Sequence, residues 1–87
     1  MMDKEWIVYI LRCKDDTLYT GITNDLQSRI AAHNAGKGAK YTRGRGPVVL
    51  VYQERCESYS QALRREYAIK QMSRTDKLSL CGIFLER

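Results

Sequence analysis

Eighty-seven residues give room for one domain with one modest core, and 44% hydrophobic residues, 29% charged residues and a single proline argue against disorder. The formal net charge of +5 suits an anionic partner without naming one. No apolar run approaches the length of a membrane span, and Asp3, Lys4 and Glu5 stand where the apolar core of a signal peptide would begin, so the expected setting is cytoplasmic with no membrane contact. Cys13, Cys56 and Cys81 are far apart, form no CxxC pair and share the chain with one histidine, His33. That pattern argues against a structural zinc site, which needs closely placed N and S ligands, and favours reduced buried thiols.

Glu5 to Cys13, EWIVYILRC, is rich in β-branched and aromatic residues with both alternating faces largely apolar. It predicts a central strand covered on both sides. Lys14-Asp15-Asp16 is turn chemistry, and Leu18 to Thr23 predicts a second strand, giving a hairpin. A three-residue loop pairs Cys13 with Thr17, Leu11 with Tyr19 and Tyr9 with Gly21. In that register Tyr9 and Tyr19 share one face, and Gly21 leaves space at the Tyr9 ring.

Asn24 is the expected N-cap of a helix running to about Ala35 and ended by Gly36. Leu26 and Ile30, with Ala31 beside them, form its inner stripe, while Arg29 and His33 project side by side at i and i+4. The next segment, GKGAKYTRGRG from Gly36 to Gly46, carries Lys37, Lys40, Arg43 and Arg45, one aromatic residue, Tyr41, and no acid. Its glycines allow close approach to a phosphate and its cations supply sequence-independent attraction, although a solvated flexible loop has the same composition.

Pro47 opens a third strand, Val48 to Tyr52. A second helix begins at Ser58 or Ser60 and reaches about Met72, with Ala62, Leu63, Ile69 and Met72 on its core side. Glu66 falls between Ala62 and Leu63 on the helical wheel. Ser73-Arg74-Thr75-Asp76 resembles a capping box with Asp in place of Glu, opening a short third helix. Gly82 to Leu85 reads as a tail that packs back on the domain. The predicted class is α+β: a small three-stranded, mainly antiparallel sheet flanked by helices.

Taken singly, Tyr9 and Tyr19 are ordinary strand tyrosines, and Arg29 and His33 an ordinary exposed helix face. Arg64 and Arg65 read as a solvated basic face that also suits DNA. Glu66 is harder to dismiss, because a carboxylate in an apolar stripe is costly unless paired or bound to a metal. Its structural alternative is a salt bridge to Arg64, Arg65 or Lys70, whose side chains are expected to point elsewhere around the helix.

The joint pattern is more specific. Ile7-Val8-Tyr9 is followed ten residues later by Tyr19-Thr20-Gly21, then by the R-x-x-x-H-N run of Arg29, His33 and Asn34, and finally by the helical Glu66. In this order the residues resemble the GIY-YIG nuclease domain over most of the chain. HNAGKGAKYTRGRGP followed by ALRREYAIK is similar to the small stand-alone bacterial members, which in turn resemble the nuclease subunit of structure-specific eukaryotic endonucleases. Two departures stand out. Ile7 replaces the glycine that names the first motif, and no asparagine follows Asn34, whereas some members use one late in the domain.

The resemblance implies that residues 1–87 form one nuclease domain, GIY-YIG-like in fold, acting as a metal-dependent endonuclease on phosphodiester bonds. DNA is the expected substrate, and repair or recombination the expected setting. It implies Tyr9, Tyr19, Arg29, His33 and Glu66 as the catalytic set, with Tyr9 preparing the attacking water as general base. A free tyrosine titrates near pH 10, so neighbouring cations or a metal's water must lower that value or share the task. Tyr19 hydrogen-bonds within the site, and Arg29 suits a bidentate grip on phosphate. His33 orients water, relays a proton or contacts phosphate. Glu66 is the one obvious metal ligand, which points to one Mg²⁺ or Mn²⁺ shared with phosphate oxygens and water and weakly held without substrate. Lys37, Lys40, Tyr41, Arg43 and Arg45 form the expected nucleic-acid contact. Two readings from other classes remain: a non-catalytic nucleic-acid-binding module using the same basic loop, and a small interaction domain in which the tyrosines and Glu66 are structural. The sequence names no protein partner.

Overall fold

The computed structural model describes residues 5–82. Among these, the chain runs β1 (Trp6–Arg12), β2 (Leu18–Thr23), α1 (Leu26–Asn34), β3 (Val49–Cys56), α2 (Tyr59–Lys70) and α3 (Arg74–Leu80). The strands form one antiparallel sheet in the order β2-β1-β3. The class is α+β, as the sequence predicts, and the expected tail beyond Gly82 lies outside the described residues.

Central β1 explains its own composition. Val8 and Ile10 face one layer with Cys56 and with Ala62 and Ile69 of α2. Tyr9 and Leu11 face the other, against Leu26 and Ile30 of α1. All four are essentially buried, so the middle of β1 is covered on both faces. The neighbouring β2 alternates in the same way, with Leu18 and Ile22 toward the α2 layer and Tyr19 toward α1.

The hairpin register is the one the sequence predicts. Tyr9 pairs with Gly21 and Leu11 with Tyr19, and the Cys13 amide donates to the Thr17 carbonyl at 2.8 Å. The glycine has a strict steric reason. A Cβ at Gly21 would stand 2.7 Å from Tyr9 Oη, 2.8 Å from Tyr9 Cζ and 3.1 Å from Tyr19 Cε2. Gly21→Ala is therefore expected to displace the Tyr9 ring and to cost roughly 1–3 kcal/mol, as overpacking does. Chemical denaturation of the variant checks this, and unchanged stability would show that the ring has room to move.

Two boundaries and one core position differ from expectation. The N-cap of α1 is Asp25 rather than Asn24: Asp25 Oδ1 accepts from the Ser28 amide at 3.4 Å, three positions on, and Oδ2 accepts from the Ser28 hydroxyl at 3.1 Å. Strand β3 continues past Tyr52 to Cys56, because Gln53, Glu54 and Arg55 pair with Tyr9, Val8 and Ile7. It also carries a bulge between its partners to Ile10 and Leu11, which brings both Val51 and Tyr52 toward the α2 layer. Leu63 of α2 is 40% exposed instead of lying in the core. Ser58 and Ser73 cap α2 and α3, accepting from the Gln61 and Asp76 amides. Among the described residues no helix is long and apolar enough to cross a membrane.

Candidate active site

Tyr9 and Tyr19 project from the sheet face covered by α1, where their ring centroids lie 6.3 Å apart. Helix α1 places His33 between them, with its ring 6.0 Å from Tyr9 and 5.2 Å from Tyr19. Tyr9 Oη and His33 Nε2 are 3.0 Å apart. Arg29, one turn earlier on α1, is half-buried, and its guanidinium lies close enough to act on the Tyr9 hydroxyl. Glu66 of α2 lies close enough for its charge to act on the same hydroxyl. The fold thus gathers around Tyr9 the five residues singled out in the sequence.

His33 does not lie on an exposed helix face, the ordinary alternative for it when taken singly. It is 1% exposed and held from both sides. Nδ1 lies 2.7 Å from Thr42 Oγ1, and Thr42 donates its own hydroxyl proton to the Ala39 carbonyl at 3.0 Å. Since a hydroxyl has one proton, Nδ1 must be the donor to Thr42, leaving Nε2 as an acceptor for Tyr9. The Ala39 amide also points at Nδ1, but at 3.4 Å it is too distant to outweigh the 2.7 Å contact. Gly38 packs directly on the imidazole, where a Cβ would fall 2.3 Å from Nδ1. This glycine serves the histidine.

Thr42 is the residue that sequence reasoning missed. It is 1% exposed amid the basic loop, and nothing in its spacing marks it. Its only signal is that a polar residue buried this deeply needs partners. Around it the loop is built rather than slack. The Thr42, Arg43 and Arg45 amides donate to the Ala39, Lys40 and Thr42 carbonyls. Asn34 Oδ1 closes the base by accepting from the Val48 amide at 2.7 Å. Arg45 Nη1 meets Asp15 Oδ2 at 2.5 Å, and its guanidinium carbon sits 4.5 Å from the centre of the Tyr41 ring. Tyr41 in turn stacks on Tyr19, with centroids 5.9 Å apart and 27° between planes. Lys37, Lys40 and Arg43 are exposed.

The electrostatics separate the two ring groups. Burial raises the Tyr9 pKa above its ordinary 10.0, and the Arg29 hydrogen bond only partly opposes this. The protein alone therefore does not lower the tyrosine as the general-base reading requires. Burial, followed by the Arg29 charge, lowers the His33 pKa below 6.5. At neutral pH the pair is thus a protonated tyrosine beside a neutral imidazole.

Glu66 is neither fully buried nor unpaired. Its side chain is 18% exposed and its Oε2 lies 3.2 Å from Lys70 Nζ, one turn along α2, contrary to the expectation that Lys70 points away. Arg65 is also not a solvated cation: it grips both carboxylate oxygens of Glu54 at 3.0 Å. Among the described residues no three His, Cys, Asp or Glu side chains form a metal cluster. A single oxygen-donor carboxylate beside the tyrosines fits a hard cation completed by substrate oxygens and water, and does not fit zinc.

Comparison with known proteins shows the family. Residues 5–79 match the model of the GIY-YIG catalytic domain. The UPF0213 protein of Staphylococcus haemolyticus is 63% identical over 84% of this chain and 89% of its own length. That of Halobacterium salinarum is 59% identical over 84% and 95%. The solution NMR structure of the UPF0213 protein from Bacillus halodurans superposes with a TM-score of 0.59 at 50% identity, covering 90% of this chain and 83% of that one. The chain belongs to the GIY-YIG family, among its small UPF0213 members.

Proposed function

We propose that this protein is a metal-dependent endonuclease that cleaves phosphodiester bonds, with DNA as substrate and repair or recombination in the cytoplasm as its setting. The observation that carries the reading is the Tyr9–His33–Thr42 chain beneath a half-buried guanidinium and beside a lone carboxylate. A purely structural buried histidine has no need of an arginine, a carboxylate and a second tyrosine converging on its partner.

In this reading Tyr9 acts as a neutral proton relay. The attacking water gives a proton to Tyr9 Oη as the Tyr9 O–H proton passes to His33 Nε2; the water oxygen forms the new bond to phosphorus while the P–O bond to the leaving sugar oxygen breaks, and that oxygen takes a proton from solvent water. The lowered His33 pKa keeps Nε2 free to accept, and Thr42 holds the imidazole in the accepting tautomer. This arrangement does not require a standing tyrosinate, which burial disfavours. Tyr19 walls the relay and carries Tyr41. Arg29, already at the Tyr9 hydroxyl, offers its remaining N–H groups to a phosphate oxygen. Glu66 would hold one Mg²⁺ or Mn²⁺, which supplies positive charge against the developing pentavalent phosphate. His33 is 1% exposed and its Nε2 meets Tyr9 Oη at 3.0 Å, which favours the relay over direct phosphate contact.

Lys37, Lys40 and Arg43 supply sequence-independent attraction, while Arg45, engaged with Asp15 and Tyr41, fixes the loop that presents them. Neutralising Lys37, Lys40 and Arg43 together is expected to flatten the salt dependence of duplex binding by roughly 0.9 per contact, about 2.7 in slope. Arg45→Gln alone is expected to lower thermal stability more than it changes that slope. A titration in which the triple variant keeps the wild-type slope would remove the loop from the interface. The catalytic reading itself is tested by nicking of labelled DNA and RNA in Mg²⁺ or Mn²⁺ against EDTA. Binding without any nicking would favour the non-catalytic module.

A further inference from the structure

Lys70 Nζ lies 3.2 Å from Glu66 Oε2, so the carboxylate that suits a metal already carries a cation of the chain's own. The two residues are one helical turn apart on α2, and they differ in exposure: 18% for the Glu66 side chain and 49% for that of Lys70. Glu66 stays near the Tyr9 hydroxyl, on which its charge acts, while the lysine is half in solvent. Other cations nearby are held more firmly. Arg65 grips both oxygens of Glu54, and Arg45 is engaged by Asp15 and by the Tyr41 ring. Among the described residues Glu66 is the one ion-pair partner of Lys70. Lys70 also lines an open groove of about 340 Å³ with Tyr19, Thr20 and Lys77, which leaves its ammonium room to turn away from Glu66 without disturbing the core.

We propose that Lys70 is the resting counter-ion of the candidate metal carboxylate. It neutralises Glu66 in the metal-free protein, competes with a divalent cation for it, and turns into the groove when the cation binds. The inference rests on the reading of Glu66 as the metal ligand. A carboxylate mostly withdrawn from water and left unpaired beside buried Tyr9 is costly, and Lys70 offsets that cost at rest. An ammonium and a divalent ion on one carboxylate repel each other twice as strongly as two unit charges at the same distance, so they do not share it readily. The strength of the pair suits exchange. An exposed i,i+4 pair is worth about a factor of two in an equilibrium constant, enough to favour the paired state and weak enough for a divalent ion to displace. Lys70 therefore makes metal binding weaker than the carboxylate alone would make it, and sets the metal concentration at which the site fills. A merely structural helix pair predicts the reverse: without Lys70, Glu66 would be held less well and metal binding would weaken or stay the same.

The test is Mn²⁺ binding to the full chain without nucleic acid, followed by electron paramagnetic resonance of free Mn²⁺ and by paramagnetic broadening of the Tyr19 and Glu66 amide signals. The variants are Lys70→Met, which keeps the apolar stem and removes the charge, Lys70→Arg, which keeps the charge, and Glu66→Gln. Lys70→Met should tighten Mn²⁺ binding about 3-fold or more, roughly twofold from the lost pair and the rest from the lost repulsion. Lys70→Arg should bind no more tightly than wild type, and Glu66→Gln should abolish the broadening. In the wild type, the Lys70 Cε signal should shift during a Mg²⁺ titration, as its ammonium leaves Glu66. Circular dichroism melting of each variant confirms that the fold is kept. If Lys70→Met binds Mn²⁺ no better than wild type while Glu66→Gln shows no broadening, the proposal is overturned and Glu66 remains the ligand. Broadening that survives Glu66→Gln, or no Mn²⁺ binding by the wild type and every variant, would overturn the proposal together with the metal role of Glu66. Divalent-dependent cleavage by the wild type, assayed separately, shows in each case whether the nuclease reading itself stands.

Discussion

Glu66→Gln is expected to reduce cleavage at least ~100-fold, while metal-free nucleic-acid binding stays near wild type. The substitution keeps side-chain size and removes the charge that would hold a cation. Cation stabilisation of the transition state is worth several kcal/mol, and each ~1.4 kcal/mol is a factor of ten. Stability should barely move. The Glu66–Lys70 pair is an i,i+4 pair with Lys70 49% exposed, and such pairs contribute about 0.3–0.5 kcal/mol. For a domain of this size that is a shift of about 2–4 °C in Tm. Cleavage and melting measured on one preparation decide the matter. A large fall in Tm with cleavage retained would make Glu66 a structural anchor and remove its metal role.

Tyr9→Phe is the second large expected effect, a loss of roughly 10²–10⁴-fold in cleavage, the range for positioned proton transfer. The ring still fills the core between Leu11 and α1, so the fold persists. Removing the hydroxyl leaves His33 Nε2 buried without its donor, at a cost of about 1–3 kcal/mol. The pH profile distinguishes relay from packing. Protonated His33 cannot accept a proton from Tyr9, so wild-type cleavage should fall as pH drops through the folded His33 value, which lies below 6.5. The residual activity of Tyr9→Phe should lack that limb. Stability follows the same sign. The unfolded chain protonates its histidine first, so the contribution of neutral His33 is full above about pH 6.5 and lost as pH falls through the lower folded value. A wild-type rate that stays flat as pH falls until the protein unfolds, checked with single-turnover kinetics, would contradict the relay.

Elements with strong periodicity were legible in the sequence. The hairpin register followed from a three-residue turn between two apolar runs, and it placed Tyr9, Tyr19 and Gly21 together as observed. The second half of β3 was not legible, because Gln53, Glu54 and Arg55 are polar residues of an edge strand and carry no apolar alternation. His33, taken singly, read equally well as an exposed position one turn from Arg29. What buries it is the following loop, folded back by Thr42 and Gly38, and no local pattern announces that closure. Glu66 drew attention as an acid near an apolar stripe. Its Lys70 partner was one helical turn away, and only the packed helix showed that Lys70 curls toward it along the groove. Arg45 likewise read as one more phosphate-binding cation until its contacts with Asp15 and Tyr41 gave it an anchoring position.

The most direct measurement is cleavage by the wild-type protein on a panel of labelled duplex, flapped, branched and single-stranded DNA and RNA, in Mg²⁺, in Mn²⁺ and in EDTA. The account predicts nicking of DNA that requires the divalent ion and disappears in EDTA. Binding to these substrates with no cleavage in either metal would contradict it and leave a nucleic-acid-binding module built on a nuclease fold.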